Sequence, residues 1–307
     1  MIEFDRVTKK YGSIPALREV SFRIQERQTV GLLGRNGAGK TTALNLMTGY
    51  FPPTSGTIRI HGMDMQREAR KCKRMIGFLP ERPPLYDEMT VQEYLRFVCE
   101  LREVVPRRIA GHVDEIIALC SLGEMRNRLL GHLSLGYRQR AGIAQALCGS
   151  PEVLIFDEPT TGLDPKQTVE IRELIRSLGK EHTVVFSSHI LSEVQQLCSR
   201  VIILHEGRTV LDMDRDEKQG STANLVLTAA GDEGRILAAL RELPVVRKAE
   251  GHGGSDGTEV RLQVIRQDEN GRAEDQIFRV MARLNAPIRQ LREEQDTLEE
   301  VFLKVCQ

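Results

Sequence analysis

Residues 34–42 read GRNGAGKTT, and the reading of this stretch decides the fold. Gly34, Gly39, Lys40 and Thr41 satisfy the spacing G-x-x-x-x-G-K-[ST]. Glycines at these positions let backbone N–H groups turn inward around a phosphate anion. Lys40 has the reach for β- and γ-phosphates, and the Thr41 hydroxyl suits Mg2+. The residues before the loop, Val30–Leu33, read as an apolar strand, and a helical pattern follows from Thr41. That helix aims its positive end at the same anion. A glycine-rich strand-to-helix turn with an incidental lysine would share the composition but not this spacing between these flanks.

Working outward, further apolar strands precede helical patterns: Val153–Phe156 before DEPTTGLDP, Thr183–Ser187 before SHILSEVQQLC, and Val201–His205 before the turn at Glu206-Gly207. Strands alternating with helices predict an α/β fold with a mostly parallel sheet. Residues 1–30 read instead as short alternating strands, an antiparallel β subdomain, and Val91–Gly149 as helical throughout. The expected layout is a nucleotide-binding domain over 1–214, with a helical insertion at about 83–150. A polar linker is placed at Asp212–Thr222. Beyond it the order strand 224–229, helix 232–242, strand 245–250, strand 258–265, helix 273–284, strand 287–292 predicts a small ferredoxin-like α+β domain over 221–307, with a last helix from Thr297.

Composition excludes several classes. The chain has 307 residues, room for one large or two modest domains. Its 43 basic residues balance 43 acidic ones, so no electrostatic footprint for nucleic acid exists. The six cysteines form no C-x-x-C pair and read as reduced thiols. The N-terminus MIEFDRVTKKYG is charged within its first six residues, unlike a signal peptide, and no run of about 18 apolar residues occurs.

A second chemical element is VLIFDEP, in which Asp157 and Glu158 leave the end of an apolar strand. A carboxylate there is costly unless a cation meets it. Asp157 suits Mg2+ and Glu158 suits orienting or deprotonating an attacking water. With the phosphate loop, the pair specifies nucleoside triphosphate hydrolysis.

Between these elements LSLGYRQR (133–140) resembles the signature loop, consensus LSGGQ, of ATP-binding cassette (ABC) ATPases, over roughly residues 1–210. The resemblance implies a P-loop NTPase fold and the following roles. Gly34, Asn36, Gly37, Ala38, Gly39, Lys40, Thr41 and Thr42 would bind ATP, and Tyr11 in KKYG would stack on adenine. Asp157 and Glu158 would be the metal-side acid and the catalytic base; Ser134 and Gly136, with Leu135 and Tyr137, the signature loop. Leu163 and Asp164 match the dimer-contacting loop, and His189 in SSHILSE the switch histidine that contacts the γ-phosphate. Taken alone, Tyr11 and His189 read as ordinary strand-end residues; their spacing within the set gives them roles. Ser134 also reads as a helix N-cap.

In the family the signature loop of one subunit closes over ATP held by another. The resemblance therefore implies a second ABC ATPase subunit, a homodimer or partnered pair, and separately encoded transmembrane permease subunits. The chain would sit peripherally on the cytoplasmic face of the cell membrane. The ending DTLEEVFLKV is similar to drug- and sodium-exporter cassettes, and FLPERPPLYDEMTVQEYL to gliding-motility-type ones. The leading expectation is the ATPase subunit of a bacterial exporter. The competing one is a soluble cassette ATPase acting on a cytosolic or nucleic-acid complex, disfavoured by the single cassette and the absence of sustained heptads. A regulator without turnover is opposed by the intact Lys40, Asp157, Glu158 and His189.

One departure stands out. Glu81, in FLPERPP, falls where the family has a glutamine beside Mg2+. The resemblance makes it a metal ligand with Thr41 and Asp157; a charged oxygen there predicts stronger metal dependence of ATP binding, and the alternative is a tolerated exchange with a water-mediated contact. Arg82 is expected to screen its charge.

Overall fold

The structure, a computed structural model, describes residues 1–214, 222–254, 257–268 and 271–293. They fall into two compact units, one ending at Asp214 and one beginning with the strand at Thr222.

In the first unit, β1 (Ile2–Tyr11) and β2 (Ile14–Ile24) form an antiparallel hairpin. Next come β3 (Thr29–Leu33), the helix α1 (Lys40–Met47), β4 (Ser55–Ile60) and β5 (Met63–Asp64). One sheet takes the order β2-β1-β4-β5. Then follow α2 (Ala69–Arg74), β6 (Ile76–Leu79), α3 (Val91–Leu101), α4 (Pro106–Leu119) and α5 (Leu135–Leu147). The unit is completed by β7 (Val153–Phe156), α6 (Pro165–Leu178), β8 (Thr183–Ser188), α7 (Leu191–Leu197), β9 (Arg200–His205) and β10 (Arg208–Asp214).

The second sheet runs β10-β9-β3-β8-β7-β6 and is parallel except for β10. Every residue of β7 and β8 is buried. This is why those segments read as continuous apolar runs and not as alternation. The main core lies between the two sheets around α1. There Ile2, Phe4, Val20 and Phe22 meet Val30, Leu32, Leu44, Ile155 and Val185, and the rings of Phe4 and Phe22 stack at 4.5 Å. Burying one such side chain contributes about 1.5–3 kcal/mol.

The segment expected to be helical throughout is broken into α3, α4 and α5, with short 3-10 turns at Gly123–Met125 and Leu130–His132. The stops are residues in the left-handed region, Glu103 at φ 59° and Ser121 at φ 54°, each following a helix end. Glycine or asparagine usually marks such an end, so neither residue carries a legible stop signal. Thr90 and Glu93 form a reciprocal capping box at the start of α3. The five described cysteines, at 72, 99, 120, 148 and 198, are buried thiols outside any disulfide.

The predicted linker starts too early: β10 pairs with β9 as far as Asp214. As a strand at the sheet's edge it has an exposed face, and its sequence DMD is polar for that reason.

The second unit contains β11 (Thr222–Ala229), α8 (Glu233–Arg241), β12 (Val246–Gly254) and β13 (Gly257–Ile265). A small hairpin, β14 (Gln267–Asp268) with β15 (Gly271–Arg272), precedes α9 (Ala273–Arg283) and β16 (Ile288–Glu293). The sheet order β12-β13-β11-β16, with every pairing antiparallel, is that of a ferredoxin-like βαββαβ unit. Its core joins Leu225, Leu227, Val260 and Leu262 to Ile236 and Leu240 of α8 and Ile277 of α9. β12 runs to Gly254, beyond the predicted strand end at 250. The helix expected from Thr297 lies outside the described residues.

Candidate active site

The carboxyl ends of β3, β8, β7 and β6, four neighbours in the parallel sheet, open on one side of the unit. Loops leaving these ends line a cavity of about 430 Å3, which includes Arg35 to Thr42, Glu81, Glu158 and His189. Crevices at strand carboxyl ends are where open α/β sheets hold ligands.

The phosphate loop is held from below. Gly39 takes φ 104°, and a Cβ there would lie 2.7 Å from the carbonyl oxygen of Ala16, so the position requires glycine. Lys40 turns back over the loop and donates to the Gly34 carbonyl at 2.8 Å. No acidic residue occupies the first turn of α1, which leaves its N–H groups and positive end for an anion.

The acids are fixed by one hydroxyl. Ser187 Oγ donates to Asp157 Oδ1 at 2.6 Å and accepts the Glu158 N–H at 2.9 Å. Asp157 is 2% exposed, and Thr41 Oγ1 lies 3.4 Å from its Oδ1. Glu158 sits at φ 48°, a left-handed conformation that costs a non-glycine residue about 1–3 kcal/mol. That backbone turns its carboxylate between two partners: Oε1 is 3.4 Å from Lys40 Nζ, and Oε2 is 2.8 Å from His189 Nδ1. A carboxylate only accepts, so the ring proton in this contact is on Nδ1.

The structure thus gathers Gly34 to Thr42, Glu81, Asp157, Glu158 and His189. It does not bring Tyr11, Ser134 or Gly136 to the same cavity. Tyr11 ends β1, is 49% exposed and packs edge-on against Phe51, with Lys9 Nζ 5.5 Å from its ring. Ser134 is the N-cap residue of α5, but its hydroxyl makes no capping hydrogen bond; the cap reading holds for its position and not for its side chain. Gly136 lies against α6, where a Cβ would come within 2.4 Å of Gln167 Oε1. Asp164 caps α6 by accepting the Gln167 N–H at 2.9 Å.

Glu81 lines the cavity without a hydrogen bond or ion pair among the described residues. The expected screening by Arg82 is absent: Arg82 is exposed and makes no ion pair there.

Ser187 was missed by sequence reasoning. Its signal was the serine pair before His189, in a strand otherwise apolar. Among the described residues no group of three or more His, Cys, Asp or Glu forms a ready-made metal cage. Mg2+ does not need one, since it is held by one or two protein oxygens together with substrate phosphates. Thr41 and Asp157 are hard oxygen donors at the mouth of the loop, and they fit it.

A glycine-rich phosphate loop with its lysine, a buried aspartate facing the Thr41 hydroxyl, and a glutamate directly after that aspartate at the exit of β7 define a P-loop nucleoside triphosphatase. The chain belongs to the ABC transporter ATP-binding proteins, and it is an ATP hydrolase of that family. The sequence profile described as "ABC transporter" matches residues 17–161. The chain is 32% identical over 307 residues to the bacitracin transport ATP-binding protein BcrA of Bacillus licheniformis, covering 99% of this chain and 97% of that one. It is 35% identical over 246 residues to the uncharacterized ABC transporter ATP-binding protein YxlF of Bacillus subtilis, covering 80% and 81%. Among solved structures, the dimeric post-hydrolysis state of the cassette MJ0796 bound to ADP and Pi aligns with TM-score 0.64 at 27% identity, over 70% of this chain and 99% of that one.

Proposed function

We propose that the chain is the ATP-hydrolysing subunit of a bacterial exporter, bound at the cytoplasmic face of the membrane through a separate permease. The observation that carries the chemistry is the Glu158 carboxylate, held between Lys40 and His189 at the cavity mouth. Lys40 and the loop N–H groups bind the β- and γ-phosphates, and Thr41 and Asp157 hold Mg2+, with Glu81 beside them. Mg2+, when bound, neutralises phosphate charge. Glu158 accepts the proton of the attacking water. His189 keeps Glu158 in place and faces the terminal phosphate.

Ser134 and Gly136 stand apart from the cavity, which supports a composite site in which a second cassette supplies them to the nucleotide. Tyr11 stacks on adenine, and the BcrA likeness supports export. No described helix is long and apolar enough to cross a membrane, so a permease would supply the spans. ATP would favour the closed pair because it contacts both halves only there.

The test is Glu158→Gln with ATP. The expected result is a dimer on gel filtration and hydrolysis reduced by at least about 100-fold. Hydrolysis at the wild-type rate would remove the base assignment, and a monomer beside the permease would remove the paired cassette.

A further inference from the structure

The reacting groups arrive on two chain segments, one leaving β7 with Glu158 and one leaving β8 with His189. A third carboxylate joins these segments from behind. Glu193, in the first turn of α7, is 2% exposed and does not line the phosphate cavity. Its Oε2 accepts from Thr160 Oγ1 at 2.9 Å and from Ser188 Oγ at 2.9 Å. Thr160 lies two residues beyond Glu158, and Ser188 immediately precedes His189. Ser188 Oγ also accepts the Ile190 N–H at 2.9 Å. Both neighbours of His189 are therefore tied to one hydroxyl, and that hydroxyl to Glu193.

The other oxygen, Oε1, has no hydrogen-bond partner among the described residues. Its neighbouring cation is Arg172 Nε on α6, at 4.0 Å, and Arg172 Nη1 is engaged by Gln196 Oε1 at 2.8 Å. A buried carboxylate with one oxygen that accepts no hydrogen bond is an expensive way to fill space. Its two accepted bonds join the segment leaving β7 to the segment leaving β8. Ser187 makes the corresponding bond one residue earlier, fixing Asp157 and the Glu158 backbone. Together the two braces set the spacing at which His189 Nδ1 meets Glu158 Oε2.

We propose that Glu193 is a positioning residue for hydrolysis: it locks the β7 and β8 exits together so that His189 is held on Glu158. Glu193 acts through His189 and makes no contact with nucleotide. The inference rests on the reading of Glu158 and His189 as the reacting pair.

The experiment uses the full chain with ATP. Glu193→Gln keeps the side chain's size and replaces its charge. The expected result is a kcat at least about tenfold lower, with KM and equilibrium ATP binding within about twofold of wild type. In a His189→Ala background the same change lowers the residual rate no further, because both act on one contact. Thr160→Val, which leaves the buried carboxylate in place, lowers kcat with the same split, and Thr160→Ser restores most of that loss. The proposal is overturned if Glu193→Gln leaves kcat within twofold, if ATP binding falls with kcat, or if its loss multiplies with that of His189→Ala. Should Glu193→Gln fail to fold, equal rates for Thr160→Val and Thr160→Ser overturn it. A Glu158→Gln variant hydrolysing at the wild-type rate is a separate result, which removes the reacting pair and not the brace.

Discussion

Lys40 and Glu158 form an ion pair of 3.4 Å across the mouth of the phosphate loop, with side chains only 7% and 12% exposed. The lysine proposed to bind phosphate is thus already shared with the carboxylate proposed as base, so a γ-phosphate entering the loop would compete with Glu158 for the same ammonium. Glu158→Gln removes the competing charge. We expect it to bind ATP at least as tightly as wild type, and about threefold to tenfold tighter where the ion pair is worth about 1 kcal/mol. Calorimetric titration of both forms checks this, and weaker binding by the variant would contradict it.

Glu81 lines the same cavity without an ion pair among the described residues. Its charge repels a triphosphate when metal is removed and attracts the metal when present. Between excess EDTA and millimolar Mg2+, the affinity of wild type for ATP is expected to change about tenfold more than that of Glu81→Gln. A fluorescent-nucleotide titration along the Mg2+ series reads this without turnover. Superimposable curves would leave Glu81 a tolerated exchange.

Helix α5 packs closely at Gly142 against the end of β6 and the loop that carries Glu81. A Cβ on Gly142 would lie 2.5 Å from Leu79 Cδ1 and 2.8 Å from Pro83 Cγ. Helix propensity favours alanine over glycine by about 1 kcal/mol, but overpacking of this kind costs about 1–3 kcal/mol. Gly142→Ala is therefore expected to destabilise the chain by up to about 2 kcal/mol in urea unfolding. Pro83→Ala in the same background should recover part of that loss.

Tyr94 bridges the same region, donating to Gln145 Oε1 on α5 and lying 3.4 Å from the Pro84 carbonyl oxygen. Burial raises its phenol from the ordinary 10.0 to about 12. The unfolded chain then loses this proton first as pH rises, so the stabilising contribution is full below pH 10 and declines through about 12. Tyr94→Phe is expected to cost about 1 kcal/mol at neutral pH and to flatten the alkaline limb of stability. Urea midpoints measured from pH 8 to 11.5 check the slope.

What the sequence revealed follows from where the chemistry lies. Asp157 and Glu158 leave the end of an apolar strand and Lys40 closes a spaced glycine loop, so local pattern exposes them, whereas His189 gained its role only from its place in the motif set. Glu193 was invisible by the same logic. Ser188 is only five residues away, but Thr160 is brought to it by the pairing of β7 with β8. The helix ends at Glu103 and Ser121 were hidden because residues without a turn signature adopt the left-handed conformation there. Ser134 showed a cap position, but whether its hydroxyl bonds the helix depends on a rotamer that composition does not encode.

The neighbour relations β3-β8-β7-β6 have a metric consequence. Each strand ends at one station of the site: the phosphate loop, His189, the acid pair, then Glu81. Adjacent strands stand about 4.8 Å apart, so the pitch between stations is set by ladder hydrogen bonds and not by the residues mounted on them. Substitution can retune a station but cannot move it along the row. A loop exchanged after β6 would therefore alter the fourth station and leave the other three in register.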